Sequence, residues 1–303
     1  MPRTFVAPIS FGLGDLVVSL PVIQALIATD HDTGDEVWLV ARAPSQRGLA
    51  PRITGLAGCI DEASLPASAR PADRIVDLRD HPLQRDHWWG SPAFEAAFGT
   101  VDINDLLDRI GTDLGIRADF SAPVPLEHRR RAGLAHTVML VPETDGANKA
   151  WVPARWAELA EWLTADGHQV RQICRTEPTP AMRATGVEGV VAATPGEAVD
   201  VLSSCRAVVG VDTGLTHIAV QQGTPTVTIA RRSTVYIRPW PHSAAARGEP
   251  CTTACEQAEA DYAYNAVVAL DGFDPGPRTC PSELACLAPV TPERVLSLLR
   301  SLL

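Results

Sequence analysis

The chain has 303 residues, 46% of them apolar, with 26 basic against 36 acidic side chains and a formal net charge of −10. That length exceeds one ordinary core of about 100–150 residues and suits two, and so apolar a chain is not a disordered one. The acidic balance argues against nucleic acid as a partner, because a duplex binder needs a clustered basic face and the only dense cluster is Arg129-Arg130-Arg131, read as a solvated linker.

In chain order, Thr4–Ile9 reads as a buried strand, followed by a tight turn, Ser10-Phe11-Gly12-Leu13-Gly14, and a helix from Asp15 to Ala28 with one apolar face. Pro21 falls inside that helix and predicts a kink or a short first segment. Glu36–Ala41 and Arg74–Leu78 read as strands and Asp102–Leu114 as a helix. The pattern restarts after residue 131 with strands at Thr137–Val141, Gln169–Ile173, Ala207–Val211 and Thr226–Ala230. Between them lie helices at Pro153–Ala165, Ala198–Ser204 and Gly214–Gln222, and Pro292–Leu302 follows as a helix capped by Thr291. Residues 231–290 predict loops and short helices.

Repeated strand–helix units imply parallel sheets covered on both faces. The expected fold is therefore α/β, with two doubly wound, Rossmann-like parallel-sheet domains facing a cleft. Domains are expected over residues 1–130 and 131–290, with a terminal helix over 291–303 placed to pack back on the first domain. No run of about 18 consecutive apolar residues predicts a membrane span, and the opening MPRTFVAPIS has no leader pattern. The expected setting is cytoplasmic, with no integral membrane contact.

Three segments carry chemistry. In Gly12-Leu13-Gly14-Asp15 two glycines let the backbone turn sharply at a strand end and bring a helix N-terminus to a ligand. The third glycine of a dinucleotide fingerprint would have to be Val17, which disfavours an NAD-linked oxidoreductase. Asp15 fits either a general base facing the cleft, with Gly14 on the acceptor side, or a helix N-cap. In Asp212-Thr213-Gly214-Leu215-Thr216-His217, the Thr213 hydroxyl, the Gly214 N–H and the helix dipole make an anion site, with His217 one turn further on. The alternative there is a capped helix with a core histidine. The third segment centres on Lys149, the single lysine beside 25 arginines. A compact ammonium kept where arginine is the rule marks a position where the guanidinium does not serve, or survives by chance. Before a helix of the second half it would stabilise charge on a departing diphosphate.

Two further stretches complete the inventory. His81, His87, Trp88 and Trp89 form an aromatic patch that either stacks on an acceptor or packs as a loop. Cys251, Cys255, Cys280 and Cys286 follow a C-x3-C, 24-residue, C-x5-C pattern. Four thiolates of that kind can hold a structural zinc or iron; plain reduced thiols and disulfides are the alternatives.

The stretches GLGDLVVSLPVIQALI, NKAWVPARWAELAEWL, VDTGLTHIAVQQGTPTVTI and CPSELACLAPVTPERVLSLL, in this order, resemble glycosyltransferase family 9, the ADP-heptose:lipopolysaccharide heptosyltransferases. The resemblance implies a GT-B fold, with an acceptor-binding first domain and a donor-binding second domain. It also implies inverting transfer that requires no metal for chemistry. Residue by residue it implies Asp15 as the base, Lys149 at the leaving diphosphate, and Asp212, Thr213, Gly214 and His217 as the diphosphate loop. Glu177 is the nearest match to the family's ribose-binding carboxylate. The implied partners are an ADP-heptose-like donor and a small-molecule or glycolipid acceptor. Where the family carries a Phe/Tyr-Gly-Pro-Thr-type loop, this chain reads Ala230-Arg231-Arg232-Ser233-Thr234, so Arg231 and Arg232 are expected to supplement Lys149. The acidic run Asp30, Asp32, Asp35, Glu36 argues for a neutral or cationic natural-product intermediate over phosphorylated lipopolysaccharide. The competing functions are a nucleotide-sugar epimerase or hydrolase of the same architecture and a non-catalytic nucleotide-sugar-binding relative.

Overall fold

The computed structural model describes residues 2–87, 89–144, 149–250, 253 and 283–303. Short 3-10 turns apart, the first half runs β1 (Arg3–Ala7), α1 (Leu13–Thr33), β2 (Glu36–Ala41), α2 (Pro44–Leu49), β3 (Gly58–Asp61), α3 (Leu65–Ser68), β4 (Arg74–Asp77), α4 (Pro82–Arg85), α5 (Pro92–Phe98) and α6 (Ile103–Asp113). The second runs β5 (Thr137–Val141), α7 (Pro153–Ala165), β6 (Gln169–Cys174), α8 (Pro180–Ala184), β7 (Glu188–Val191), α9 (Pro195–Leu202), β8 (Ala207–Val211), α10 (Gly214–Gln221), β9 (Thr226–Ala230), β10 (Ser243–Arg247) and α11 (Pro292–Leu302). The strands form two sheets, ordered β3-β2-β1-β4 and β10-β9-β8-β5-β6-β7. Every pairing in them is parallel.

The α/β expectation holds, and the central strands show why. β5, β8 and β9 are buried at every position, which a parallel sheet with both faces covered demands. The strands that periodicity did not find are β3, β7 and β10. β3 and β7 have four residues each and include a glycine, too short a run to show a period. β10 corrects the expectation of loops and short helices over 231–290: Ser243–Arg247 pairs with Thr226–Ala230. Its Ser-Ala-Ala-Ala-Arg sequence lacks the β-branched and aromatic residues that signal a strand.

Helix α1 positions everything else. Its Leu16, Val17, Val18, Leu20, Val22, Ile23 and Leu26 are almost fully buried, and a helix apolar on so much of its circumference belongs inside a fold. Among the described residues it is the one helix long and apolar enough to cross a membrane, over Leu13–Asp30 with mean hydropathy 1.5, and 61% of that window is buried. The helix runs through Pro21 unbroken over 21 residues. Proline has no N–H for the Val17 carbonyl. Next to that gap, Arg238 donates to the Val18 carbonyl and to Asn104 Oδ1 of α6. Its guanidinium lies 4.9 Å from the Trp240 ring centroid and is only 3% exposed. That burial pulls its pKa down to about 10, against the opposing pull of Asp102.

One apolar core runs through both halves, uniting Leu16 and Ile23 of α1 with Val199, Ile218 and Val235 of the second half. The segment joining them is a strap tied at both ends. Trp240 Nε1 donates to the Phe120 carbonyl at 3.0 Å, Gln221 Nε2 to Val124 at 3.0 Å and Gln222 Nε2 to Leu126 at 3.2 Å. The side chains of Arg129, Arg130 and Arg131 are exposed, as a solvated linker predicts. The backbone beneath them is held: Arg129 N–H reaches Asp200 Oδ1 at 2.7 Å and Arg131 N–H reaches Ser204 Oγ at 2.8 Å. The terminal helix departs from expectation. α11 packs its Val295 and Leu299 into the core of the second sheet with Leu159, Val209 and Ile229, not back on the first domain. Thr291 caps it by accepting from Arg294 N–H at 3.3 Å.

Asp200 joins the halves by a two-pronged pair with Arg52, both contacts at 2.9 Å. Burial opposes its charge, but the Arg129 N–H and the Arg52 guanidinium outweigh it and hold the carboxyl below its usual range. Asp200→Asn is expected to lower stability to urea by about 2 kcal/mol, the scale of a hydrogen bond to a charged group. A carboxyl depressed in the native state stabilises above its unfolded pKa and loses that contribution as pH falls through the native one. The gap between wild type and variant should therefore close in acid, and a gap that stays constant would refute this role.

Candidate functional site

The site forms where the carboxyl end of β1 meets the carboxyl end of β8. On the first side, Gly12 N–H donates to Asp15 Oδ2 at 2.9 Å across the turn into α1. Ser19 Oγ donates to the Asp15 carbonyl at 2.7 Å and accepts from Ile9 N–H at 3.2 Å, pinning the helix start to the strand end. On the second side, Thr216 Oγ1 donates to the Val211 carbonyl at 2.6 Å and fixes α10 to β8. A side chain at Gly210 would strike that hydroxyl, at 2.6 Å. Thr213 is the N-cap of α10 but does not cap it with its side chain, and a helix start without such a cap keeps N–H groups for an anion.

The N-termini of α1 and α10 abut. A Cβ on Gly14 would come within 2.9 Å of His217 Cδ2, and one on Gly214 within 2.8 Å of Leu13 Cβ and 3.0 Å of Gly14 N. A side chain at either place would collide, so Gly14 is part of the joint between the halves.

Asp212 lies at the centre. Its Oδ2 accepts from Lys149 Nζ at 2.7 Å, and its Oδ1 sits 3.0 Å from His217 Nε2. Burial works against its charge, but Lys149 and His217 together hold the carboxyl far below the usual range. Asp15 has the opposite balance. Loss of solvent pushes its carboxyl up, and the Gly12 N–H, Lys149 and His217 offset this only in part, with Asp212 adding to the rise. Four of the sequence-derived residues, Asp15, Lys149, Asp212 and His217, thus form one electrostatic unit across the joint, with Thr213 and Gly214 beside them. Two residues after Lys149, Trp151 is buried and donates Nε1–H to the Val290 carbonyl at 3.0 Å.

The other candidates fare differently. Glu177, beyond the carboxyl end of β6, is exposed and paired with Arg183 at 2.8 Å. Arg231 is half-buried directly after β9. Arg232, expected to supplement Lys149, instead crosses to the first half, where it pairs with Glu95 and donates to the Gly90 carbonyl at 3.1 Å. His87 is not an open stacking face: it packs edge-on against Phe98 at 4.8 Å and Phe94 at 6.1 Å. Trp89 is a core residue, 2% exposed, with Nε1–H on the Leu83 carbonyl at 2.8 Å. Trp88 lies outside the described residues, as do Cys251, Cys255 and Cys280. Cys286 is buried beside the second core. No group of three or more metal-ligating side chains occurs among the described residues. The acidic run is displaced from the site. It lies where α1 ends and β2 begins, about 25 Å from Asp15 at 1.5 Å per helical residue, so it says nothing of the acceptor's charge.

Sequence reading missed the residues that brace the site. Gln46, Gln84 and Arg238 reach it or its helix from distant stretches. An isolated glutamine or arginine carries no local pattern by which to find it. Glu95, Thr100, Arg232, Ser233, Thr234 and Arg247, among others, line a small pocket between the halves.

Comparison with known proteins agrees with this architecture. Residues 115–263 match the sequence model of glycosyltransferase family 9 (heptosyltransferase). No curated protein matches the chain by sequence. Among solved structures, a glycosyl transferase family 9 protein from Veillonella parvula superposes with a TM-score of 0.64 at 13% identity, over 99% of this chain and 97% of that one. ADP-heptose lps heptosyltransferase II of E. coli gives 0.61 at 18% identity, over 100% and 98%. The iron-containing dodecameric glycosyltransferase TibC of enterotoxigenic E. coli gives 0.64 at 18% identity, over 99% and 78%, and is also known in complex with ADP-D-beta-D-heptose. These likenesses establish the two-domain GT-B-like fold.

The glycine contact is open to a direct check. Gly214→Ala should cost about 1–3 kcal/mol, the usual penalty of overpacking, read as a lower urea midpoint. A midpoint unchanged from wild type would show that the two helix ends are not in contact.

Proposed function

We propose that this chain, whose residues 115–263 match the glycosyltransferase family 9 model, transfers a heptose-like sugar from an ADP-heptose-type donor to an acceptor hydroxyl, with inversion and without a metal in the chemistry. The observation that carries this reading is the placement of Asp15 on one half against Lys149, Asp212 and His217 on the other. In such a transfer the acceptor oxygen bonds to the anomeric carbon from one face, and the bond from that carbon to the diphosphate oxygen breaks on the other. Asp15 takes the acceptor proton. A carboxyl raised above its ordinary range is a better base near neutral pH than an unperturbed one. Lys149, the Thr213 hydroxyl and the α10 N-terminus meet the negative charge that builds on the diphosphate. Glu177, at the carboxyl end of β6, is assigned to the ribose, and Arg231 to the donor beside the end of β9.

We assign the first half to the acceptor and the second to the donor. The cleft shared by Thr100, Ser233, Thr234 and the Arg232–Glu95 pair is assigned to the acceptor. Hydroxyls beside a paired cation and anion suit a polyhydroxylated molecule. A small natural-product intermediate and a glycolipid headgroup both meet that description.

The four late cysteines are assigned to a structural zinc or iron away from the chemistry. Support comes from the start of the cysteine stretch. Glu249, two residues before Cys251 in sequence, donates its N–H to the Cys286 carbonyl at 2.8 Å. Metal analysis of the purified protein should give about one zinc or iron per chain, lost in Cys286→Ser. A metal content that this substitution leaves unchanged would overturn the assignment.

The functional test is calorimetric titration with ADP, UDP and GDP, followed by assay of ADP release from ADP-heptose. Selective ADP binding is expected. Lys149→Ala should weaken that binding tenfold or more, whereas Asp15→Asn should leave it intact and abolish transfer. The acid limb of the wild-type rate profile should lie above the ordinary carboxylate range, because Asp15 acts only when ionised. Equal loss of ADP binding in both variants would refute the division of roles. Release of the donor sugar with no acceptor consumed would favour an epimerase or hydrolase.

A further inference from the structure

The glycine turn that delivers Asp15 has little rigidity of its own. Gly12 and Gly14 lose more conformational freedom on folding than other residues would, and a side chain at Gly12 is excluded because its Cβ would fall 2.6 Å from Asp15 Oδ2. Something else must hold the turn. Gln46, on α2, is fully buried. Its Nε2 donates to the Ser10 carbonyl at 2.9 Å and to the Gly12 carbonyl at 3.2 Å, while its Oε1 accepts from Arg42 N–H at 3.0 Å. The orientation of this amide is unambiguous: two carbonyls need donors and one N–H needs an acceptor, which only one of its two orientations satisfies. The two carbonyls it grips flank the peptide whose N–H points to Asp15 Oδ2. Gln84 extends the brace by donating Nε2–H to the Ile9 carbonyl at 2.9 Å.

We propose that Gln46 is the positioning residue of the Asp15 carboxylate, clamping the Ser10 and Gly12 carbonyls so that the Gly12 N–H between them stays on Asp15 Oδ2. The catalytic meaning of this clamp rests on Asp15 being the base, as argued above; the clamp itself does not. A hydrogen bond to the ionised form of a carboxyl favours that form. The charged groups facing Asp15 are Lys149 and His217, which act in the same direction as Gly12 N–H, and Asp212, which acts against it. Freeing the turn therefore raises the Asp15 carboxyl further and leaves the charges on the second half where they are.

The test follows the Gly12 amide by NMR in the full-length, isotope-labelled protein. In wild type this amide should be protected from solvent exchange, and its shift should follow a titration that disappears in Asp15→Asn. Gln46→Met, similar in length but without donors, should speed exchange at Gly12 tenfold or more. It should also move the titration midpoint upward by about half a pH unit or more, and leave ADP affinity within twofold of wild type. A merely structural glutamine would lower the melting temperature and leave the midpoint where it was. Wild-type exchange at Gly12 as fast as in an open loop, or an unmoved midpoint in Gln46→Met, overturns the proposal. If the variant does not fold, the wild-type exchange rate decides alone. Full transfer activity in Asp15→Asn would refute the base and not the clamp, since the amide readout needs no turnover.

Discussion

Two helix N-termini held against each other should repel, because each presents the positive end of a dipole and a set of N–H groups without helical partners. In this protein α1 and α10 meet in that way, at a distance that admits only glycine. The arrangement persists because carboxylates stand at both ends: Asp15 on α1 takes the Gly12 N–H, and Asp212 ahead of α10 takes Lys149 and His217. Positive potential focused on one point from two directions suits an anion. The charge arrangement that makes the joint tolerable is therefore also the one that makes it useful.

The same geometry divides the labour. Neither half holds the complete site. The first half supplies a carboxyl whose proton affinity is raised by loss of solvent, and the second supplies the cation, the hydroxyl and the helix end. Asp212 illustrates why residue type alone is a poor guide to role. A carboxylate is itself unsuited to touch an anion, and here it holds the lysine and the histidine that do suit one. Its low proton affinity keeps it charged, and that charge helps keep Asp15 high.

Much of this was legible in the sequence. The central strands were found to within a residue or two, since buried parallel strands are apolar throughout, whereas α1 runs five residues past its expected end and α9 starts three residues before its expected start. Asp15, Lys149, Asp212 and His217 were found because each lies in a short stretch with its own chemical logic. The parts that were not legible share a physical cause. Gln46 and Arg238 act through contacts across tens or hundreds of residues, and the aromatic stretch around His87 and Trp89 has the same composition whether it faces a sugar or a core. The acidic run misled for a related reason: proximity in sequence to Asp15 became distance in space, because a 21-residue helix carries the chain to the opposite end of the sheet.

The apolar core that runs without interruption from Leu16 and Ile23 to Val199, Ile218 and Val235 bears on how such a protein can diversify. Proteins of two separable domains change specificity by exchanging one domain for another. Here a new second half would have to arrive with an α10 that still meets Leu13 and Gly14, an Asp200 for Arg52 and a Trp240 to receive the strap. Recombination at residue 130 therefore breaks the core as well as the joint between the two helix ends. Variation is cheapest at the rims, in the segment after β9 and the one that carries α5, which lie outside the central strands and the joint between the helix ends.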